Sequence, residues 1–279
     1  MKKIKIFKLK EIDFLEFQLP GSGVALLTGE NGSGKTTLLG TLRRIKEKNA
    51  FPIHFPASQE SDRLDDMSNA RIEYHAGGES VAYSRTGVRW VPKPKSGAAV
   101  LDNFEYSFVE FIGANADRIS PKEEDFVPNR INSVPKEIRD AANRIFSTNK
   151  FDDLRTVNVT RGQNPAFVLS LGGTPKKYAS EKALSLGELC VLKLLKKIYT
   201  CEENGLFLID ELEMALHPAA QIRLFRYLEV ASQKKHLTII FSTHSVSLIK
   251  SAQKKQIFHL RKDGQSTECI QGAFPSAIL

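Results

Sequence analysis

Gly29-Glu30-Asn31-Gly32-Ser33-Gly34-Lys35-Thr36 is the stretch that decides the fold. It fits the pattern Gly-x-x-x-x-Gly-Lys-Thr, and its surroundings fit as well. Val24-Ala25-Leu26-Leu27 ahead of it has the short apolar texture of a buried strand, and Thr37 to Ile45 behind it reads as a helix. Strand, glycine-rich loop and helix in that order make a cradle for phosphate. The backbone N–H groups of Glu30, Asn31, Gly32, Ser33 and Gly34 can turn inward on phosphate oxygens, and the helix N-terminus adds partial positive charge. Lys35 is placed to neutralise β- and γ-phosphates, Thr36 to put its hydroxyl on Mg²⁺, and Thr37 to add a phosphate contact. From average composition, chance would produce this pattern in about one sequence in a hundred of this length.

A phosphate loop does not by itself separate kinases, GTPases and ATPases. Far along the chain, Leu206-Phe207-Leu208-Ile209-Asp210-Glu211 is four apolar residues followed by two carboxylates. A buried strand ending in Asp210 delivers a metal ligand to the sheet edge, and Glu211 can polarise a water for in-line attack on a γ-phosphate. Leu184-Ser185-Leu186-Gly187-Glu188 opens an amphipathic helix that runs from Gly187 to Tyr199. The Ser185 hydroxyl, the Gly187 N–H and the helix dipole suit a second phosphate contact, and Glu188 belongs to the same set. The plainer reading is that Ser185 caps the helix and Glu188 completes a capping box. Phe241-Ser242-Thr243-His244-Ser245 is another buried strand with a polar end, where His244 can sense a γ-phosphate.

The series GENGSGKT, LSLGE, LFLIDELE and STHS resembles the P-loop, signature, Walker B and switch-histidine order of ABC-type ATPases. The run Asp210-Glu211-Leu212-Glu213-Met214-Ala215-Leu216-His217-Pro218 is similar to the soluble OLD-like, RecF-like and SMC/Rad50-type branch, found in DNA repair and phage defence, rather than to transporter subunits. The resemblance implies binding and hydrolysis of ATP with Mg²⁺ between two head-to-tail copies. Lys35, Thr36, Asp210, Glu211 and His244 would act in cis, Ser185 and Gly187 in trans. Arg118, in Phe111 to Pro121, resembles the arginine segment of these soluble ATPases, where Gln59 is a possible substitute for the missing Q-loop glutamine. A partner effector, a nuclease or toxin, and DNA are the implied associates. The competing readings are a transporter's nucleotide-binding subunit and a dimerisation module with little turnover.

The last hundred residues alternate strand and helix, which argues for a mostly parallel sheet flanked by helices. The fold class is therefore α/β, and the resemblance implies an ABC-type core, with an antiparallel β lobe and a helical lobe. We read residues 1–279 as a single ABC-type ATPase domain with the lobe inserted at about 50–180. Residues 4–19 alternate as two strands, and Gly77-Gly78 turns a hairpin. Val91-Pro92-Lys93-Pro94-Lys95 reads as a surface loop, Phe108 to Ile112 as a strand, 135–150 as a helix and Ala166 to Leu171 as a strand.

The net charge of +8 suits a polyanion partner or a solvated lysine-rich surface equally. The cysteines Cys190, Cys201 and Cys269 are scattered, without the spacing of a zinc site or disulfide framework, and fit a reducing cytoplasm. No apolar run approaches the roughly 20 residues that cross a bilayer. Asp65-Asp66 and Asp152-Asp153 read as solvated turns rather than a nuclease centre. No sustained heptad stretch appears. With the chain stopping at Leu279, a separate effector or a longer parent protein is expected.

Overall fold

Alternating apolar residues build the first hairpin, β1 (Lys3–Leu9) and β2 (Ile12–Gln18), paired antiparallel with Ile4, Ile6, Ile12 and Leu15 all fully buried. The computed structural model describes residues 2–56, 67–160, 164–264 and 266–273. Gln59 and Asp65-Asp66 lie outside the described residues. The phosphate-loop strand, β3 (Gly23–Gly29), buries Val24 through Leu27. Helix α1 (Lys35–Arg43) follows, starting two residues earlier than its apolar pattern suggests because the turn at Gly34 completes the loop. Next come α2 (Ala50–His54) and the hairpin β4 (Arg71–Ala76) and β5 (Glu79–Thr86), with the expected turn at Gly77-Gly78.

One expectation is corrected here. The proline-containing run around Val91 is not a loop but part of β6 (Arg89–Lys93), which pairs antiparallel with β5. Its edge position tolerates Pro92, since an edge strand has a side that needs no N–H. Trp90 holds the strand down by packing its ring 4.8 Å from that of Phe51. The result is a five-stranded antiparallel sheet in the order β2-β1-β4-β5-β6.

The chain continues through β7 (Val109–Gly113), β8 (Ile131–Ser133), α3 (Lys136–Phe146), β9 (Leu154–Val157), β10 (Ala166–Gly172) and β11 (Lys177–Ala179). It closes with α4 (Leu186–Thr200), β12 (Leu206–Asp210), α5 (Pro218–Lys235), β13 (Thr238–Ser242), α6 (Val246–Ser251), β14 (Ile257–Asp263) and β15 (Ser266–Gln271). The six-stranded sheet has the order β15-β14-β3-β13-β12-β7, and its β14, β3, β13 and β12 pairings are all parallel. This is the α/β core expected from strand–helix alternation. Among the described residues no helix is long and apolar enough to cross a membrane.

The chain divides into two units. The first comprises Met1–Phe111, Glu202–Glu211 and Leu228–Leu279, and holds the five-stranded sheet and, apart from the end of β7, the six-stranded one. Its core runs from Ile4 and Phe17 through Leu27 and Leu38 to Tyr74 and Leu208. The second comprises Ile112–Cys201 and Leu212–Tyr227. It contains an antiparallel sheet in the order β11-β10-β9-β8, with α3 and α4 packed on each other; Ile138 and Ala142 of α3 and Leu192 and Leu195 of α4 are buried.

Candidate functional site

Parallel pairing decides where the chemistry sits in the first unit. Leu27, Ser242 and Asp210 lie in one row across β3, β13 and β12, at the carboxyl ends of the strands. Ligands of open parallel sheets bind outside this edge. The phosphate loop leaves β3 two residues beyond Leu27, so the loop and the acidic strand end meet there.

Gly34, at the N-cap of α1, has φ 98°, a left-handed backbone costly for any residue with a Cβ. A Cβ at Gly34 would also fall 2.6 Å from the Ile12 side chain. Among the described residues no side chain caps α1, whose first N–H groups have no partner within the helix. The Lys35 ammonium is buried and donates to the carbonyl oxygens of Gly29 and Glu30, each at 3.1 Å. Ser33 Oγ is buried in the loop and has no hydrogen-bond partner among the described residues. Thr36 is exposed on the first turn of α1, whereas Thr37 is buried and its hydroxyl donates to Glu11 Oε1 at 2.6 Å. The structure thus brings Thr36 to the open side of the loop and turns the Thr37 hydroxyl elsewhere.

The acidic strand end is organised by Ser242, a residue of the STHS run to which sequence reading gave no role. Ser242 Oγ donates to Asp210 Oδ1 at 2.6 Å and accepts the Glu211 N–H at 3.1 Å. Glu211 adopts φ 49°, rare for a residue with a side chain, and such strain gathers at functional sites. His244 Nε2 lies 3.3 Å from Glu211 Oε1, so the two residues assigned to water activation and γ-phosphate sensing are neighbours. Beside the loop, burial, aided by the Arg261 charge, holds the His259 imidazole below its ordinary range, and its buried Nδ1 has no partner among the described residues.

Mg²⁺ fits this edge. It takes oxygen ligands, usually one or two carboxylates with substrate phosphates and waters. Asp210 supplies a half-buried carboxylate steered by Ser242, and Thr36 an exposed hydroxyl. Among the described residues no cluster of three His, Cys, Asp or Glu side chains forms an all-protein metal cage.

The signature segment lies in the second unit. Ser185 and Glu188 form the capping box: Ser185 Oγ accepts from the Glu188 N–H at 3.1 Å, and the Glu188 carboxylate accepts from the Ser185 N–H at 2.7 Å. Lys150 Nζ clasps the same carboxylate at 2.8 Å. A Cβ at Gly187 would fall 2.2 Å from the Ala215 carbonyl oxygen, so only glycine allows this approach of α4 to the Leu212–Ala215 turn. Gln221 Nε2 donates to the Glu213 and Leu216 carbonyls, both at 3.0 Å, and holds that turn. Arg118 is turned to carbonyl oxygens of the signature approach, those of Glu181 and Leu184. Glu181 and Gln221 escaped sequence reading because neither falls inside a recognised motif.

The family description “AAA domain” matches residues 1–44, including the phosphate loop. Solved structures similar over nearly the whole chain include SMC heads. The SMC head domain from Thermotoga maritima has 16% identity and TM-score 0.51, with 96% of this chain and 97% of that chain covered. An SmcHead bound to the C-winged helix domain of ScpA has 13% identity and TM-score 0.54, with 96% of each chain covered. At these identities the likeness is one of fold: the chain has the architecture of an SMC head. A second family description, “AAA domain, putative AbiEii toxin, Type IV TA system”, matches residues 91–250, more than half of the chain and all three later motifs. The chain therefore belongs to this family of AAA-type, nucleotide-binding ATPase domains.

Proposed function

We propose that the chain binds MgATP on the Gly29–Thr36 loop, hydrolyses it, and does so as a head-to-tail pair of copies that share two nucleotides. The observation that carries this reading is the meeting of Asp210, Ser242, Glu211 and His244 beside the loop that holds Lys35. Lys35 exchanges the Gly29 and Glu30 carbonyls for phosphate oxygens and offsets their charge. Thr36 and Asp210 hold Mg²⁺, which neutralises phosphate charge when bound. Glu211 accepts the proton of the attacking water, and His244, bonded to it, orients that carboxylate and contacts the γ-phosphate. Ser185 and Gly187 of one copy complete the site of the other.

A γ-phosphate bridging two surfaces gives the nucleotide differential affinity for the closed pair, which is what a switch requires. We propose that the closed pair controls a protein effector or a nucleic-acid partner, in phage defence or DNA repair. The toxin–antitoxin wording of the family description supports an effector, and the ScpA domain bound to a matched SMC head supports a protein partner. The charge of +8 supports DNA. We keep residues 1–279 as one ATPase domain with its lobe at about 50–180, working in the cytoplasm.

The test is the solution mass of Glu211→Gln by light scattering, with and without MgATP. Doubling of the mass with nucleotide supports the pair. An unchanged mass in a variant that still binds ATP removes the trans role of Ser185 and Gly187.

A further inference from the structure

The segment that leads into the signature, Glu181 to Leu184, is held from inside by a carboxylate that no motif contains. Glu181 is fully buried, at 0% exposure. Its Oε2 accepts the Ile119 N–H at 2.7 Å, and its Oε1 accepts the Phe167 N–H at 3.0 Å. The carboxylate therefore ties the stretch after β7 and the start of β10 to the residue four positions before Ser185. Arg118, adjacent to Ile119, completes the clasp from the other side, donating to the Glu181 carbonyl and to that of Leu184 at 2.8 Å. Leu184 is bonded directly to Ser185. Two backbone donors and one guanidinium thus fix the entry to the signature.

We infer that Glu181, with Arg118, is a positioning residue for the signature: it sets where Ser185 and Gly187 are presented to a nucleotide held by the other copy. The inference rests on the shared-nucleotide reading above. It assigns Arg118 to the placement of the signature rather than to the nucleotide. A buried carboxylate suits the task because it accepts from two N–H groups at once. A glutamine cannot: one end of its amide is itself a donor and would face a backbone N–H. A misplacement of 1 Å can cost about 100-fold in rate without touching the reacting atoms.

The experiment uses purified full-length chains. Glu181→Gln should bind ATP as tightly as wild type, because its phosphate loop is intact, while turnover falls about 100-fold. Lys35→Ala, inactive for want of the ammonium in its phosphate loop, keeps a good signature. Mixing the two variants creates dimers with one composite site, built from the loop of the first and the signature of the second. Turnover should return to about a quarter of wild type for random pairing of a two-fold dimer. A third chain, Ser185→Asp, mixed with Lys35→Ala in the same way, tests the shared site itself.

Recovery in both mixtures supports the positioning role. Recovery with Ser185→Asp but not with Glu181→Gln overturns it and leaves the shared site standing. Recovery in neither overturns the shared site and the inference with it. Wild-type turnover of Glu181→Gln alone also overturns the inference. If Glu181→Gln fails to fold, Arg118→Lys takes its place, since one ammonium replaces a forked guanidinium at the two carbonyls. Its loss of turnover must then be restored by Lys35→Ala.

Discussion

Lys35 is the residue whose job is most sharply bounded by its surroundings. Its ammonium rests on two carbonyl oxygens of its own loop, so it is placed before any phosphate arrives. Lys35→Ala should weaken ATP binding by about 3 kcal/mol, roughly 100-fold, a loss isothermal calorimetry would resolve. Ser242 differs in kind, since its hydroxyl serves both Asp210 and the Glu211 N–H. Glu211 N–H keeps a second acceptor in the Ser242 carbonyl at 3.3 Å. Ser242→Ala should therefore cost only about 1 kcal/mol of stability. Its turnover should fall disproportionately as Asp210 and Glu211 lose their common tether. A turnover loss no larger than the stability loss would deny Ser242 a share in the site.

At the scale of elements, α4 shows two uses of one helix start. The capping box between Ser185 and Glu188 is the structural role the pattern foresees, and Gly187 is required by the Ala215 carbonyl. Neither excludes a trans role, and one substitution separates them. Ser185→Asp keeps an N-cap acceptor, so thermal stability should shift by less than about 0.5 kcal/mol. It also places a carboxylate where a phosphate of the other copy would come, and ATP turnover should collapse. Retained turnover in a well-folded Ser185→Asp protein would leave the cap as the only function.

Legibility also divides by element. The parallel core was readable because its strands are continuous apolar runs, as in Leu206 to Ile209, each leading into a helix pattern. Strand β6 was not: Pro92 and Pro94 are strong turn signals, and only the burial of Trp90 against Phe51 shows why the segment stays extended. At the site, Lys35, Asp210 and His244 announced themselves through spacing. Glu11 and Glu181 lie in no motif, and Ser242 lies in one that does not show its role, because all three act on neighbours distant in sequence.

For the molecule as a whole, pH gives a test of the second unit. Asp125 is buried, and its pKa is pushed down to about 2, first by the Thr160 hydroxyl and then by the Lys122 N–H, with Arg130 close by. Its folded pKa lies below the ordinary 3.8, so the stability it contributes is complete above that value and lost as pH falls from about 4 to about 2. Asp125→Asn should lower the melting temperature at pH 7, and the gap to wild type should close as pH falls through that window. A gap independent of pH would mean that packing, not charge, is what Asp125 supplies.

The strand order of the core has a consequence for how the protein is born. Strand β3, which carries the phosphate loop, lies between β13 and β14. Both neighbours are translated only after Leu237. A nascent chain that has emerged as far as that residue carries every atom of the phosphate loop on a strand with two open edges. Such edges are templates for wrong pairing. Synthesis of the final strands is therefore the step that closes both edges of β3, and a ribosome stalled before them would display the loop without the sheet that gives it meaning.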